Sequence, residues 1–77
     1  MDIGLAFGKV LRKRRKDAGL TQEQLALEAD IQRNYVSLIE RGLNQPTITI
    51  IFKLAGALGC SPSCLVEDVE MLVGTGS

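Results

Sequence analysis

The stretch TQEQLALEADIQRNYVSLIERG, residues 21–42, constrains the fold more than any other part of the chain, because it packs two short helical patterns into a few turns. Thr21 reads as an N-cap, with Gln24 three positions on able to return a hydrogen bond to the cap's own N–H. Leu20 is placed to staple onto Leu25. The spacing predicts a helix over 22–29 that buries Leu25, Ala26 and Ala29, small residues that let another helix approach closely. A turn at Asp30 and Ile31 leads into a further helix, 32–41, with Val36, Ile39 and Leu43 pointing inward and Gly42 as the stop. Gln32 is a poor cap by rank.

The flanking sequence supplies three more helices. Ile3, Phe7, Val10, Leu11 and Ala18 recur at helical steps, giving one amphipathic helix over 3–17 that Gly19 ends. LNQPTI breaks the periodicity and reads as a loop, with Thr47 capping a helix over 48–58. That helix is unusually apolar, leaving only Thr49, Lys53 and Gly56 as a narrow polar stripe. Ser61 caps a fifth helix with Pro62 in its first turn, where a missing N–H costs nothing. Its apolar side is Leu65, Val66, Val69, Leu72 and Val73. No strand pattern appears, so the chain is read as all-α, one domain over 1–73 with a flexible tail over 74–77.

A chain of 77 residues leaves no room for a second domain. At that size only about 60% of the unfolded surface is buried, so self-association is expected to help stability. The formal net charge is zero, but it is unevenly distributed. Residues 1–19 hold six basic side chains (Lys9, Arg12, Lys13, Arg14, Arg15, Lys16) against two acidic ones, a net of +4. The remainder holds three basic against seven acidic, a net of −4. Phosphate attraction follows the local field, so a neutral total does not exclude a basic face. A charge run of this kind is most often a solvated helix face.

Several function classes are disfavoured by what is missing. Two cysteines, Cys60 and Cys64, with no histidine, complete neither a disulfide framework nor a zinc site, and they read as small buried hydrophobes. Without histidine, paired carboxylates at an evident cleft or a Gly-rich phosphate loop, enzyme chemistry is not expected. No cofactor, metal or small-molecule ligand is implied. The start, MDIGLAFGKVLRKRRK, has no continuous apolar core after a basic head, and no apolar run approaches the ~20 residues of a membrane span. A cytoplasmic location is the expectation.

Two helices joined by a turn of a few residues have the proportions of a helix-turn-helix unit. In that geometry the second helix enters the major groove of double-stranded DNA by its N-terminal end, and the first lies across the backbone. With Val36 and Ile39 facing the core, the helical step turns Arg33, Asn34, Ser37 and Leu38 outward. Arg can pair bidentately with guanine, Asn with adenine, and an exposed Leu can meet a thymine methyl. By spacing alone, these are equally the solvent-facing residues of an ordinary helix.

From Phe7 to Leu65 the chain resembles the helix-turn-helix family of phage repressors, Cro proteins and xenobiotic-response-element regulators. The matching features are Leu11, Arg15, GLTQEQLA at 19–26, IERG at 39–42, Pro46, Thr47 and LAGALGCSPSCL at 54–65. The resemblance implies a five-helix, lambda-repressor-like DNA-binding domain acting as a transcriptional regulator or repressor, usually as a dimer on a near-palindromic operator. It assigns Gln22, at the start of helix two, to a DNA phosphate. Gln32, Arg33, Asn34 and Leu38 match recognition-helix positions, with Gln32 standing where the family carries a small hydroxyl cap. Asn44 matches a backbone-contacting site, and Arg15 and Glu40 match a pair joining helix one to helix three. Tyr35 either gives its hydroxyl to a phosphate or packs beside the loop, and Arg12, Arg14 and Lys16 serve phosphate attraction or solubility. RNYVSLIERG on so short a chain is similar to the controller proteins of restriction–modification systems. A stand-alone phage repressor or Cro protein, or an antitoxin-type interaction module, is the alternative.

The fourth helix and the stripe on the fifth are more apolar than one small monomer can easily cover. Ile50, Leu54, Val69 and Leu72 are the expected two-fold interface of a homodimer. Symmetry would then set two recognition helices about 34 Å apart, one turn of duplex.

Overall fold

Residues 1–74 of the chain are described by a computed structural model. Among them are five helices and no strand: α1 Ile3–Asp17, α2 Gln22–Ala29, α3 Arg33–Glu40, α4 Ile48–Leu58 and α5 Pro62–Val73. The expected tail from residue 75 onward lies outside the described residues. No single helix among them is long and apolar enough to cross a bilayer.

Local chemistry sets most of the helix ends. The Thr21 hydroxyl accepts from the Gln24 backbone N–H, and the Gln24 side chain accepts from the Thr21 N–H, a closed capping box at 3.0 and 2.9 Å. Thr47 and Ser61 accept from Ile50 and Cys64 in the same way. Asp2 does so for α1, taking the Leu5 N–H at 3.1 Å, a cap that the sequence reading did not anticipate. Asp30 closes α2 in the left-handed region at φ 58°, a conformation that a short polar side chain tolerates. α3 is one residue shorter at each end than the predicted 32–41. Gln32 is extended at φ −79°, ψ 144° and makes no side-chain cap bond, and Arg41 is the C-cap.

α1 packs against α3 and α5, α2 against α3 and α4, and α4 against α5. Their shared core holds Leu11, Leu25, Val36, Ile39, Leu54 and Leu65, all fully buried. Leu20 packs on its edge, as the staple to Leu25 requires. Two glycines fix the α1–α3 contact. A Cβ on Gly8 would sit 2.5 Å from the Ile39 carbonyl and 2.6 Å from that of Glu40, so α1 can approach the end of α3 only because that atom is missing. Gly42, at φ 75°, turns the chain away from α3 directly over Leu5. That turn also corrects one expectation. Leu43 does not point inward but is 62% exposed, because the helical period that would have carried it to the core ends at Glu40. Ile3 and Ala18, at the two ends of α1, are likewise exposed despite fitting the apolar period.

Two of the predicted dimer residues are corrected by the same packing. Leu54 is 0% exposed and Val69 8%, so both belong to the core of the single chain. Ile50 is half-buried and Leu72 exposed. The apolar surface left over lies elsewhere on α4 and α5. Ile48 and Phe52, one helical turn apart, face Val66 across a groove that Ile51 and Pro62 also line.

Candidate nucleic-acid interface

α3 has two unlike ends, and its chemistry follows from that. Its inner side is anchored by Val36 and Ile39, both fully buried, while Arg33 and Asn34 stand exposed on the first turn. Gln32, just before them, is exposed as well. No acidic side chain lies in that first turn, so nothing on α3 itself neutralises Arg33 there. Exposed donors of this type on a leading helical turn suit the acceptors on purine edges. Ser37 and Leu38, one turn further on, are half-buried, so they are less projecting than the helical wheel suggested. Tyr35 is half-buried too and packs against the core edge, which favours its packing role. Asn44 is exposed in the loop after α3, where its backbone N–H reaches the Leu38 carbonyl at 3.4 Å.

The rear of α3 is tied down. The Arg15 guanidinium grips the Glu40 carboxylate through Nε at 2.6 Å and Nη2 at 3.1 Å, and its Nη1 donates to the Leu20 carbonyl at 2.9 Å. The Glu40 side chain is only 3% exposed and that of Arg15 11%. The expected pair is therefore present, and it joins α1, the α1–α2 turn and α3 at one point. A two-pronged, charge-assisted contact of this kind fixes orientation as well as energy. Glu40 also accepts a third bond, from Gln22 Nε2 at 3.1 Å. The sequence reading gave Gln22 only an outward role, and no spacing rule links positions 22 and 40. Gln22 is half-buried at the first position of α2, where the early backbone N–H groups of a helix favour an anion.

The basic run of α1 divides into separate roles. Arg14 is paired with Asp68 of α5 at 2.8 Å, and that hydrogen bond raises its pKa further. It is a strap between α1 and α5 rather than a free phosphate ligand, a role readable only once α5 is known to lie beside α1. Lys13 pairs with Asp17 on the open surface at 3.0 Å. Lys9, Arg12 and Lys16 are exposed and have no ion-pair partner among the described residues. Cys60 and Cys64 are half-buried free thiols, and burial pushes the Cys60 thiol up, which the nearby Arg14 partly opposes. A thiol held protonated in this way is a weak nucleophile and a weak metal ligand.

Comparison with known proteins agrees with this arrangement. A family model described as helix-turn-helix matches residues 11–63, a span that contains α2, α3 and the Arg15–Glu40 pair. The control protein C.BamHI of Bacillus amyloliquefaciens is 39% identical over 67 residues, covering 86% of this chain and 83% of its own. The control protein C.MunI of a Mycoplasma species is 37% identical over 70 residues, covering 90% and 95%. The crystal structure of the restriction-modification controller protein C.AhdI from Aeromonas hydrophila superposes with a TM-score of 0.79 at 40% identity, covering 80% of this chain and 94% of that one. With the motif, the exposed leading turn and these relatives in agreement, the chain belongs to the XRE-type helix-turn-helix family of DNA-binding transcriptional regulators.

Proposed function

We propose that this chain is a sequence-specific regulator of the controller type, acting on a restriction–modification locus as a homodimer bound to a near-palindromic operator. The observation that carries this reading is the polarity of α3. Its rear is held by Glu40 and Gly8, and its leading turn offers Arg33 and Asn34 to solvent with no acidic residue in that turn. In the major groove, Arg33 and Asn34 read base edges, with Ser37 and Leu38 supporting them one turn behind. Gln22, Gln32 and Asn44 contact the sugar–phosphate backbone on either side, fixing register without reading sequence, while Tyr35 packs beside them on the core edge. The likeness to C.BamHI, C.MunI and C.AhdI supports the controller assignment.

The homodimer rests on the exposed apolar surface of α4 and α5. Because Leu54 and Val69 are consumed by the core, Ile50 packs on its edge and Leu72 lines a separate groove beside Val10 of α1, the interface is built on Ile48, Phe52 and Val66. An isologous contact through such a patch buries the same side chains on both copies and brings two α3 helices onto one face of the duplex. Purified protein used to select sites from random duplex DNA is expected to enrich a sequence with two-fold symmetry and half-sites about one helical turn apart. Enrichment of a single asymmetric half-site, or of nothing, contradicts the reading. In sedimentation, Phe52→Asp is expected to convert the dimer to monomer while leaving the helical spectrum intact. A monomeric parent protein at tens of micromolar rejects the dimer alone.

A further inference from the structure

The hydrogen bond between α2 and the end of α3 deepens the reading just given and rests on it. Glu40 is nearly sealed from solvent and bound on both oxygens by Arg15, so its carboxylate is fixed, charged and able only to accept. A side-chain amide meeting such a group must present nitrogen and not oxygen, and Gln22 does so, with Nε2 3.1 Å from Oε1. That nitrogen carries a second hydrogen. We propose that Glu40 is a positioning residue for DNA-backbone binding: it sets the orientation of the Gln22 amide so that the remaining N–H faces a phosphate. Left free, the amide could turn and offer its oxygen, an acceptor meeting another acceptor. Arg15 completes the device by neutralising Glu40, whose charge would otherwise repel the phosphate that Gln22 binds. The Arg15–Glu40 pair, which looks purely structural, thus also selects which end of a neighbouring amide the DNA encounters.

Glu40→Gln tests this because it replaces a pure acceptor by a group with both an oxygen and an NH2. Arg15 claims the oxygen, the new NH2 turns toward Gln22, and the Gln22 amide reverses. Binding to a duplex of random sequence is measured for the wild type, Gln22→Ala, Glu40→Gln and the double variant, at a temperature where circular dichroism shows each to be folded. Glu40→Gln is expected to weaken binding about tenfold to a hundredfold in the wild-type background, the scale of one lost hydrogen bond to a charged group. In the Gln22→Ala background the same change is expected to cost less than about twofold, because coupled residues do not add. Equal losses in both backgrounds overturn the proposal and leave Glu40 with a stabilising role alone.

A second measurement does not depend on the variant folding. In the wild-type spectrum, one Gln22 side-chain amide proton is expected to lie downfield and exchange slowly, and the other to shift when a short duplex is added. Absence of any shift at Gln22 while Arg33 responds overturns the proposal but spares the functional reading. A wild-type protein with no salt-sensitive affinity for DNA removes both.

Discussion

The two ends of α3 differ in every property that matters to their roles. At the rear, Glu40 takes three hydrogen bonds and Gly8 admits the backbone of α1 to van der Waals range. At the front, the cap residue makes no side-chain bond and the two following side chains are exposed. A helix that is to be pressed into a groove must resist displacement, so its holding contacts gather where the ligand does not reach. The side chains that read the ligand, in turn, must be unengaged until it arrives. Rear substitutions should therefore show in stability, and front substitutions in binding.

The largest effect is expected from Glu40→Ala. It leaves the Arg15 guanidinium without its buried partner, a change that costs about 3–5 kcal/mol in comparable pairs, and a large drop in melting temperature is the result to look for. An unchanged melting curve would mean that this pair does not hold the rear of α3. Gly8→Ala should follow at about 1–3 kcal/mol, because the added methyl meets two backbone carbonyls that cannot rotate away. Arg33→Ala should leave the melting curve unmoved and instead cost about 1–3 kcal/mol on the cognate operator, with much less lost on random duplex. Equal losses on both would demote Arg33 to a phosphate contact. Asp68→Ala should have the smallest effect. Its pair with Arg14 is about one-third exposed, so no more than about 1 kcal/mol of stability should go, and less at high salt.

Arg14 and Arg15 also show how much of the molecule could be read from its sequence. They are adjacent members of one basic run, and composition treats them alike. The family resemblance singles out Arg15 as the structural member, and the IERG match supplies its partner Glu40. Nothing local distinguishes Arg14, whose partner Asp68 lies 54 positions away. The helices themselves were legible because their signals are short-range: Thr21 with Gln24, Thr47, and Ser61 followed by Pro62. The inward set of α2 and α3 was legible for the same reason. The exposed apolar face of α4 was not. On α4 almost every side is apolar, so periodicity cannot say which side faces α2 and α5, or that Leu54 is buried and Phe52 exposed. The contact between Gln22 and Glu40 was beyond reach, since it depends on where two helix ends meet in space.

Titration of the isotope-labelled protein with its selected operator shows whether the leading turn of α3 enters the DNA groove. Backbone amides of residues 32–38 and the side-chain signals of Gln22, Arg33 and Asn34 should shift together and saturably, with the exposed patch around Phe52 unmoved. Shifts confined to Lys9, Arg12 and Lys16 on α1, with Arg33 and Asn34 silent, would place the DNA on the basic stripe of α1 and not on α3.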